Sequence, residues 1–466
     1  MELWIFPCFL VLIMPAGFAL LETGLCRAKN AAHAMSLNLL AYALGITAFW
    51  AAGFALMCGG AGHSHHSAGA WGHISAISSL TKIWGFRVAG HWCGIIGGRG
   101  FFLAGHFPAD QRNALIAAFF CMAVYAVVAV AIPNGALMER WSLRSFSLFT
   151  LLIGAFIFPV YGCWIWGGGW LAQLGHNFGL GNGAVDYGGS TVVHLLGGTL
   201  ALAGATQIGP RIGKYDEQGV PRPIFGHHVP MVILGTFLLA FGWFGFNTAR
   251  SFAAGDGLAA VIAVNTALSS VAGALAAGLY MTFRYGKPDP SVMCNGLLGA
   301  LVASCAGCAY VQPWAAFLIG AVAGLLAAWG VLFFERRGID DPVGAISVHG
   351  LNGLWGAIAV GLFADGAFGA GTHHVAAPVR GLFYGNGKQL VAQLIAAGAC
   401  IAWAFGTGSA AFIVIRAVLG SNRVPVEVEI AGLDIPEMGA SGYPEFISHM
   451  APEQVPMSEI VSARRG

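Results

Sequence analysis

Eleven runs of mostly apolar residues, each long enough to cross a bilayer as a helix, take up most of this chain. They fall near residues 3–26, 35–58, 112–136, 146–166, 188–207, 229–249, 257–283, 291–309, 313–334, 344–364 and 389–415. A hydrocarbon core takes about 20 residues of helix, and inside it every backbone N–H and C=O has to be satisfied within the protein, which a helix does on its own. Only 9% of the 466 residues are Asp, Glu, Lys or Arg, and 57% are apolar, whereas soluble domains carry roughly 25% charge. The expected class is all-α, a polytopic membrane protein. The first run continues into "GFALLETGL" with neither a basic start nor a small-residue cleavage site, so it reads as a retained span rather than a signal peptide.

The charges orient the spans. With the N-terminus outside, fifteen of the 22 basic residues fall on one side, and Lys82, Arg87, Arg99, Arg112, Arg250, Arg380 and Lys388 fall on the other. Basic residues collect in cytoplasmic loops, so the expected topology is N-out and C-in. Residues 1–416 form the membrane domain, with a long outer loop at 60–111, and 417–466 form a charged cytoplasmic tail. A net charge of +2 with scattered basic residues gives no footprint for nucleic acid. The outer-loop tract "GHSHHSAGAWGH" has no Cys or carboxylate at a fixed spacing, so it reads as a flexible polar loop and not a metal site. Of ten cysteines, Cys8, Cys26, Cys121, Cys163, Cys305 and Cys400 lie inside apolar runs, which fits buried thiols better than a disulfide framework. The CxxC of Cys305 and Cys308 reads as packing.

Two segments repeat. "TVVHLLGGTLALAG" and "ISVHGLNGLWGAIAVG" each centre on a Val-His pair. Each has small residues four and seven positions beyond the His, Gly198 and Ala201 after His194, Gly353 and Gly356 after His349. Each also has an acid eight residues before it, Asp186 and Asp341. The histidines lie on the fifth and tenth spans, so a five-span unit is used twice, and its odd number inverts the second copy. Such repeats place working sites near the midplane. Eight residues of helix cover about 12 Å, close to half of a roughly 30 Å core, so both imidazoles are expected at similar depth and able to touch. Each has one donor and one acceptor nitrogen when neutral, and burial favours that neutral form. The two acids read as helix caps, with an added role for Asp186 in attracting a cation.

Together "DYGGSTVVHLLGG", "GPRIGKYDEQGVPRPIFGHHVP", "LGTFLLAFGWFGFNTA" and "DDPVGAISVHGLNGLWGAIAVGLFAD" resemble the Amt/Mep/Rh ammonium transporter family, on its bacterial Amt side. "GFALLETGLCRAKN", "IPNGALMERW", "WIWGGGWLA" and "GLDIPEMGASGYPE" follow in the family's order. The resemblance implies a homotrimer in the cell membrane, one pore per subunit, lined by His194 and His349. It implies capture of ammonium, with methylammonium as a candidate, then deprotonation, passage of ammonia and a separate proton route.

It also assigns Trp166 to the outer vestibule, where a ring face holds a cation, and Phe246 to one ring of a stacked gate. Counting back from "IPNGALMER", the other gate ring falls on Cys121, with Phe119 and Phe120 just before it. Arg250 stands where the family often has a vestibule serine. The tail resembles one that couples subunits and goes with PII-type regulators. Neither cofactor nor catalysis is implied. The alternative reading is an ammonium sensor that conducts poorly and signals through a separate partner. A membrane enzyme or metal site on the two histidines is disfavoured, because two ligands are too few for a usual zinc centre.

Overall fold

The computed structural model describes residues 5–63, 74, 77–369 and 378–447. Within them lie eleven helices long and apolar enough to cross a membrane: α1 (Phe6–Leu25), α2 (Ala28–Cys58), α3 (Ala109–Leu137), α4 (Leu143–Ile165), α5 (Ser190–Ile208), α6 (Val229–Ala254), α7 (Ala259–Tyr285), α8 (Pro290–Gly307), α9 (Pro313–Arg336), α10 (Ile346–Phe363) and α11 (Gly387–Leu419). Each overlaps one run expected from the sequence. Most of the His-rich tract, Arg464 and Arg465 lie outside the described residues.

A helix that is apolar all round belongs in a protein core or in a membrane. Helix α3 lies inside the bundle, with every residue from Cys121 to Leu137 buried. Helices α1 and α6 cross at glycines instead. A Cβ added at Gly17 would lie 2.7 Å from Leu239 Cγ and 2.9 Å from Gly235 O. One added at Gly242 would lie 2.4 Å from Met14 Cγ and 3.1 Å from Leu10 O. These pairs share one offset of 225 positions (10 to 235, 14 to 239, 17 to 242). The crossing is therefore its own image, as an axis relating two inverted five-helix halves requires.

The outer loop carries structure that the all-α reading omitted. Strands β1 (Ile83–Val88) and β2 (His91–Gly97) pair antiparallel, with Val88 opposite His91. The turn between them is Ala89-Gly90, at φ 50° and 85°, which is the two-residue hairpin geometry with both centres at positive φ. The hairpin lies on the same side of the bundle as the start of α1, here called the hairpin face. The other side, where the tail begins, is the tail face.

The reading of the cysteines as thiols fails at one pair. Cys8 of α1 and Cys121 of α3 form a disulfide, with their Cα atoms 5.6 Å apart. Their separation of 113 residues hides the contact from the sequence. Cys305 and Cys308 remain separate buried thiols, and Trp243 Nε1 donates to Cys305 Sγ at 3.1 Å.

An ion network closes the tail face. Buried Glu139 accepts from Arg27 and, at 2.7 Å, from Arg211 Nη1. Arg211 also holds Asp340 with Nε and Nη2, both at 2.9 Å, and Arg140 Nη2 donates to the Asp340 carbonyl at 2.7 Å. Four interhelical loops are joined this way. The tail helices α12 (Val426–Ala431) and α13 (Asp434–Met438) dock beside it. Glu429 accepts from Arg423 and from the Ile212 N–H, while Asp434 accepts from the His33 N–H at 2.9 Å.

Removing one partner of a buried ion pair costs about 3–5 kcal/mol. Arg211→Met, which strands Glu139 and Asp340, is expected to lose that much, read as a lowered Tm in detergent. Burial alone would raise the Asp340 pKa, but the Arg211 hydrogen bonds and the Arg140 charge overcome it and hold the group well below the usual carboxylate range. Its contribution is therefore complete above the unfolded value of about 4 and is lost as the pH falls through the folded value. The wild-type Tm should drop at acid pH more steeply than that of Asp340→Asn.

Candidate functional site

Both histidine helices begin in polar, non-helical chain. At the hairpin face, the Asp186 carboxylate accepts from the N–H groups of Gly189, Ser190, Thr191 and Val192 at 2.7–3.0 Å, and from Thr191 Oγ1 at 2.6 Å. At the tail face, Asp341 accepts from the N–H groups of Gly344 and Ile346 at 2.9 and 2.7 Å. These are the free N–H groups of two helix starts. Burial raises the pKa of both acids, and the hydrogen bonds they accept oppose that rise. Gly189 and Gly344 turn the chain into the helices at φ 105° and 80°. The first turns are wide: His194 N donates to Gly189 O, five residues back, at 3.2 Å. Such π turns recur at functional sites.

Helices α5 and α10 cross with almost nothing between them. A Cβ at Gly198 would sit 2.1 Å from Gly350 N, and one at Gly353 would sit 2.6 Å from Leu195 N. These contacts are related by the offset that relates the histidines (194 to 349, 195 to 350, 198 to 353). His194 Nδ1 and His349 Nδ1 lie 3.1 Å apart, with the rings 18° from parallel. One nitrogen donates and the other accepts. His194 Nε2 is buried and finds no hydrogen-bond partner among the described residues.

Aromatic rings wall this pair. Trp243 stacks on His194 at 5.0 Å and Phe18 lies 6.0 Å from His349, again a pair 225 positions apart (18 to 243). Toward the hairpin face, Phe246 lies 5.5 Å from His194. Tyr125 packs on Phe246 at 4.4 Å, donates its hydroxyl to Phe246 O, and meets Trp166 edge-on at 5.4 Å. Trp166 is buried, and its Nε1 donates to Asp186 O at 2.7 Å.

Counting back without a gap puts the ring opposite Phe246 at Cys121, beside Phe120. The structure puts Cys121 in the disulfide and Phe120 against Phe9 at 5.4 Å. The ring on Phe246 is Tyr125, one helical turn further along the same face of α3. Sequence reading missed Tyr125 and Trp243. Tyr125 stands out as the one aromatic residue in the run from Cys121 to Leu137, and Trp243 as the repeat partner of Phe18.

Arg250 continues the α6 face that carries Trp243, Phe246 and Asn247. It is buried, with its guanidinium 5.0 Å from the Tyr187 ring. Tyr310 meets Tyr187 edge-on at 5.7 Å, and burial pushes the Tyr310 phenol up to about 12. No group of three or more His, Cys, Asp or Glu side chains among the described residues could hold a metal ion.

Residues 3–443 match the Ammonium Transporter Family. The chain is 44% identical, over 95% of its length and 88% of the relative's, to ammonium transporter Amt2 of Archaeoglobus fulgidus. Among solved structures it resembles a protein described as a sensor Amt protein, with TM-score 0.77, 30% identity, and 94% of this chain and 98% of that one covered. It also resembles Mep2 of Saccharomyces cerevisiae, with TM-score 0.75, 26% identity, and 91% and 86% covered.

Because the crossing leaves no room for a methyl group, Gly198→Ala should force α5 and α10 apart. Overpacking of this kind costs about 1–3 kcal/mol. The measurement is the Tm of purified protein, with Gly408→Ala, where the nearest atom would be a Leu200 side-chain carbon at 2.8 Å, as a milder comparison.

Proposed function

The chain belongs to the ammonium transporter family, and from that premise we propose that it carries ammonium across the cell membrane by separating ammonia from its proton. The names of its relatives support the substrate. The observation that carries the mechanism is the His194 Nε2 atom, buried without a partner beside a second imidazole. A bare cation in such a passage costs several kcal/mol. Neutral ammonia costs far less, because it can hydrogen-bond to imidazole nitrogens as it moves.

On this reading the hairpin face is outside, which agrees with the basic-residue count. Ammonium is attracted to the Trp166 ring, and Tyr125 and Phe246 close the way in. Beyond them ammonium gives one proton to the histidine pair. Ammonia continues toward the tail face, and the proton moves along the Nδ1–Nδ1 contact. Potassium has no proton to give up, so the dry segment rejects it. The working unit is a homotrimer with one pore per subunit. The tail is cytoplasmic, and the tail face is where a PII-type regulator would dock.

A second reading is sensing with poor conduction. Two observations favour it: the likeness to a sensor Amt protein and the buried Arg250 near the way in. A guanidinium about 4 Å from ammonium repels it by roughly 1 to 4 kcal/mol, depending on solvation.

The test is the transient current on a solid-supported membrane after an ammonium jump onto liposomes carrying the purified protein. Current in wild type that disappears or changes ion selectivity in His194→Ala is the expected result. If wild type is silent and Arg250→Ser conducts, the transport reading fails in favour of sensing.

A further inference from the structure

The two halves of this protein match closely in skeleton and differ in one chemically decisive position. In α1 "GFALLETG" (17–24) and in α6 "GWFGFNTA" (242–249) align at the offset that relates their crossing. Phe18 and Trp243 occupy equivalent places, one on His349 and the other on His194. One turn further along, the equivalent residues are Glu22 and Asn247 (22 to 247). Each lies by the start of a histidine helix. Asn247 Oδ1 would be 2.7 Å from a Cβ on Gly188, and Glu22 shares a cavity wall with Val343, the residue equivalent to Gly188 (188 to 343). An amide cannot carry a proton, whereas a carboxylate can. The amide lies toward the hairpin face and the acid toward the tail face.

Glu22 is buried. Its Oε2 accepts from Asn38 Nδ2 and Asn134 Nδ2, both at 2.6 Å. Both amide oxygens of these asparagines are buried without a partner among the described residues. The pair can therefore serve either state of the acid: the NH₂ groups donate to the carboxylate, and one rotated amide accepts from the carboxylic acid. A cavity of about 20 Å³ is lined by His349, Phe18, Glu22, Leu298 and Val343. A water needs about 10–15 Å³ and a few polar partners, and His349, Glu22 and Asn295 are the polar residues in the lining of this mostly apolar cavity. Glu22 sits in the last turn of α1, at its tail-face end.

We propose that Glu22 is the proton acceptor on the tail side of the histidine pair, an inference that rests on the transport reading above. Ammonium gives its proton to the imidazole pair and leaves as ammonia. An N–H bond of the resulting imidazolium at His349 breaks, and an O–H bond forms on the Glu22 carboxylate through one water in the cavity. The carboxylic acid then releases that proton to tail-face water and returns to carboxylate. Asn247 cannot do the same at the hairpin face, so the proton-carrying steps have a side.

The experiment compares wild type, Glu22→Gln and Glu22→Asp in liposomes, with current after an ammonium jump and ammonium uptake measured in parallel. Glu22→Gln is expected to lose the current about a hundredfold, the scale of a lost proton-transfer group, while taking up ammonia down its own gradient, and Glu22→Asp should restore part of the current. A current in Glu22→Gln within about twofold of wild type, less than any positioned proton-transfer group contributes, overturns the proposal. Wild type that takes up no ammonium removes the transport reading, and this proposal with it. If Glu22→Gln fails to assemble or loses uptake as well, the infrared difference spectrum of wild type with and without ammonium decides. A carboxylic-acid C=O band that appears with ammonium and moves in Glu22→Asp supports the proposal, and its absence overturns it.

Discussion

The glycine crossing of α5 and α10 is the constraint on which the site depends. Two imidazoles can bring their Nδ1 atoms to 3.1 Å only if the helices carrying them approach to backbone contact. Gly198 against Gly350 and Gly353 against Leu195 permit that approach. Once the contact exists, each ring satisfies one nitrogen of the other, which makes an imidazole tolerable where water is excluded. The second nitrogen remains to be satisfied, and for His194 nothing among the described residues does so. An unsatisfied buried nitrogen costs about 1–3 kcal/mol. That nitrogen, buried between stacked rings, is the observation on which the proposed passage of ammonia rests.

The depth of the pair follows from where the helices start. Asp186 and Asp341 gather the free N–H groups of those starts, and eight residues separate each acid from its histidine. The acids thus act first through the backbone. With four N–H donors and one hydroxyl on its carboxylate, Asp186 is engaged in holding the loop that also receives the Trp166 indole. Any attraction it exerts on a cation acts through that loop's field, since its own oxygens are occupied.

The eleven spans were legible because a bilayer leaves few solutions for a long apolar run. The histidine contact was legible because an internal repeat turns spacing along the chain into depth. Counting failed where position depends on neighbours that no local pattern records. An ungapped count places the ring opposite Phe246 at Cys121, four residues from Tyr125, and four residues of helix return to nearly the same face. The face was therefore right and the height was one turn off. The Cys8–Cys121 bond, the Glu139–Arg211–Asp340 network and the docked tail join segments more than seventy residues apart, so no spacing argument could reach them. The hairpin left a fainter trace, since Ala-Gly is a weaker turn signal than Asn-Gly.

Inverted halves give a transporter its geometry at the cost of making its two sides alike. A fully symmetric pore would offer a proton the same partners on both sides of the histidines. This chain departs from symmetry in its rings, with Trp243 opposite Phe18, and in its polar groups, with Asn247 opposite Glu22. The first exchange alters packing and leaves charge alone. The second places a group that can bind a proton on one side and one that cannot on the other, inside matching skeletons. If ammonium is split at the histidines, its neutral half needs only a passage, whereas its proton needs successive acceptors. The side that holds one beyond His349 in that proposal is the side facing the tail.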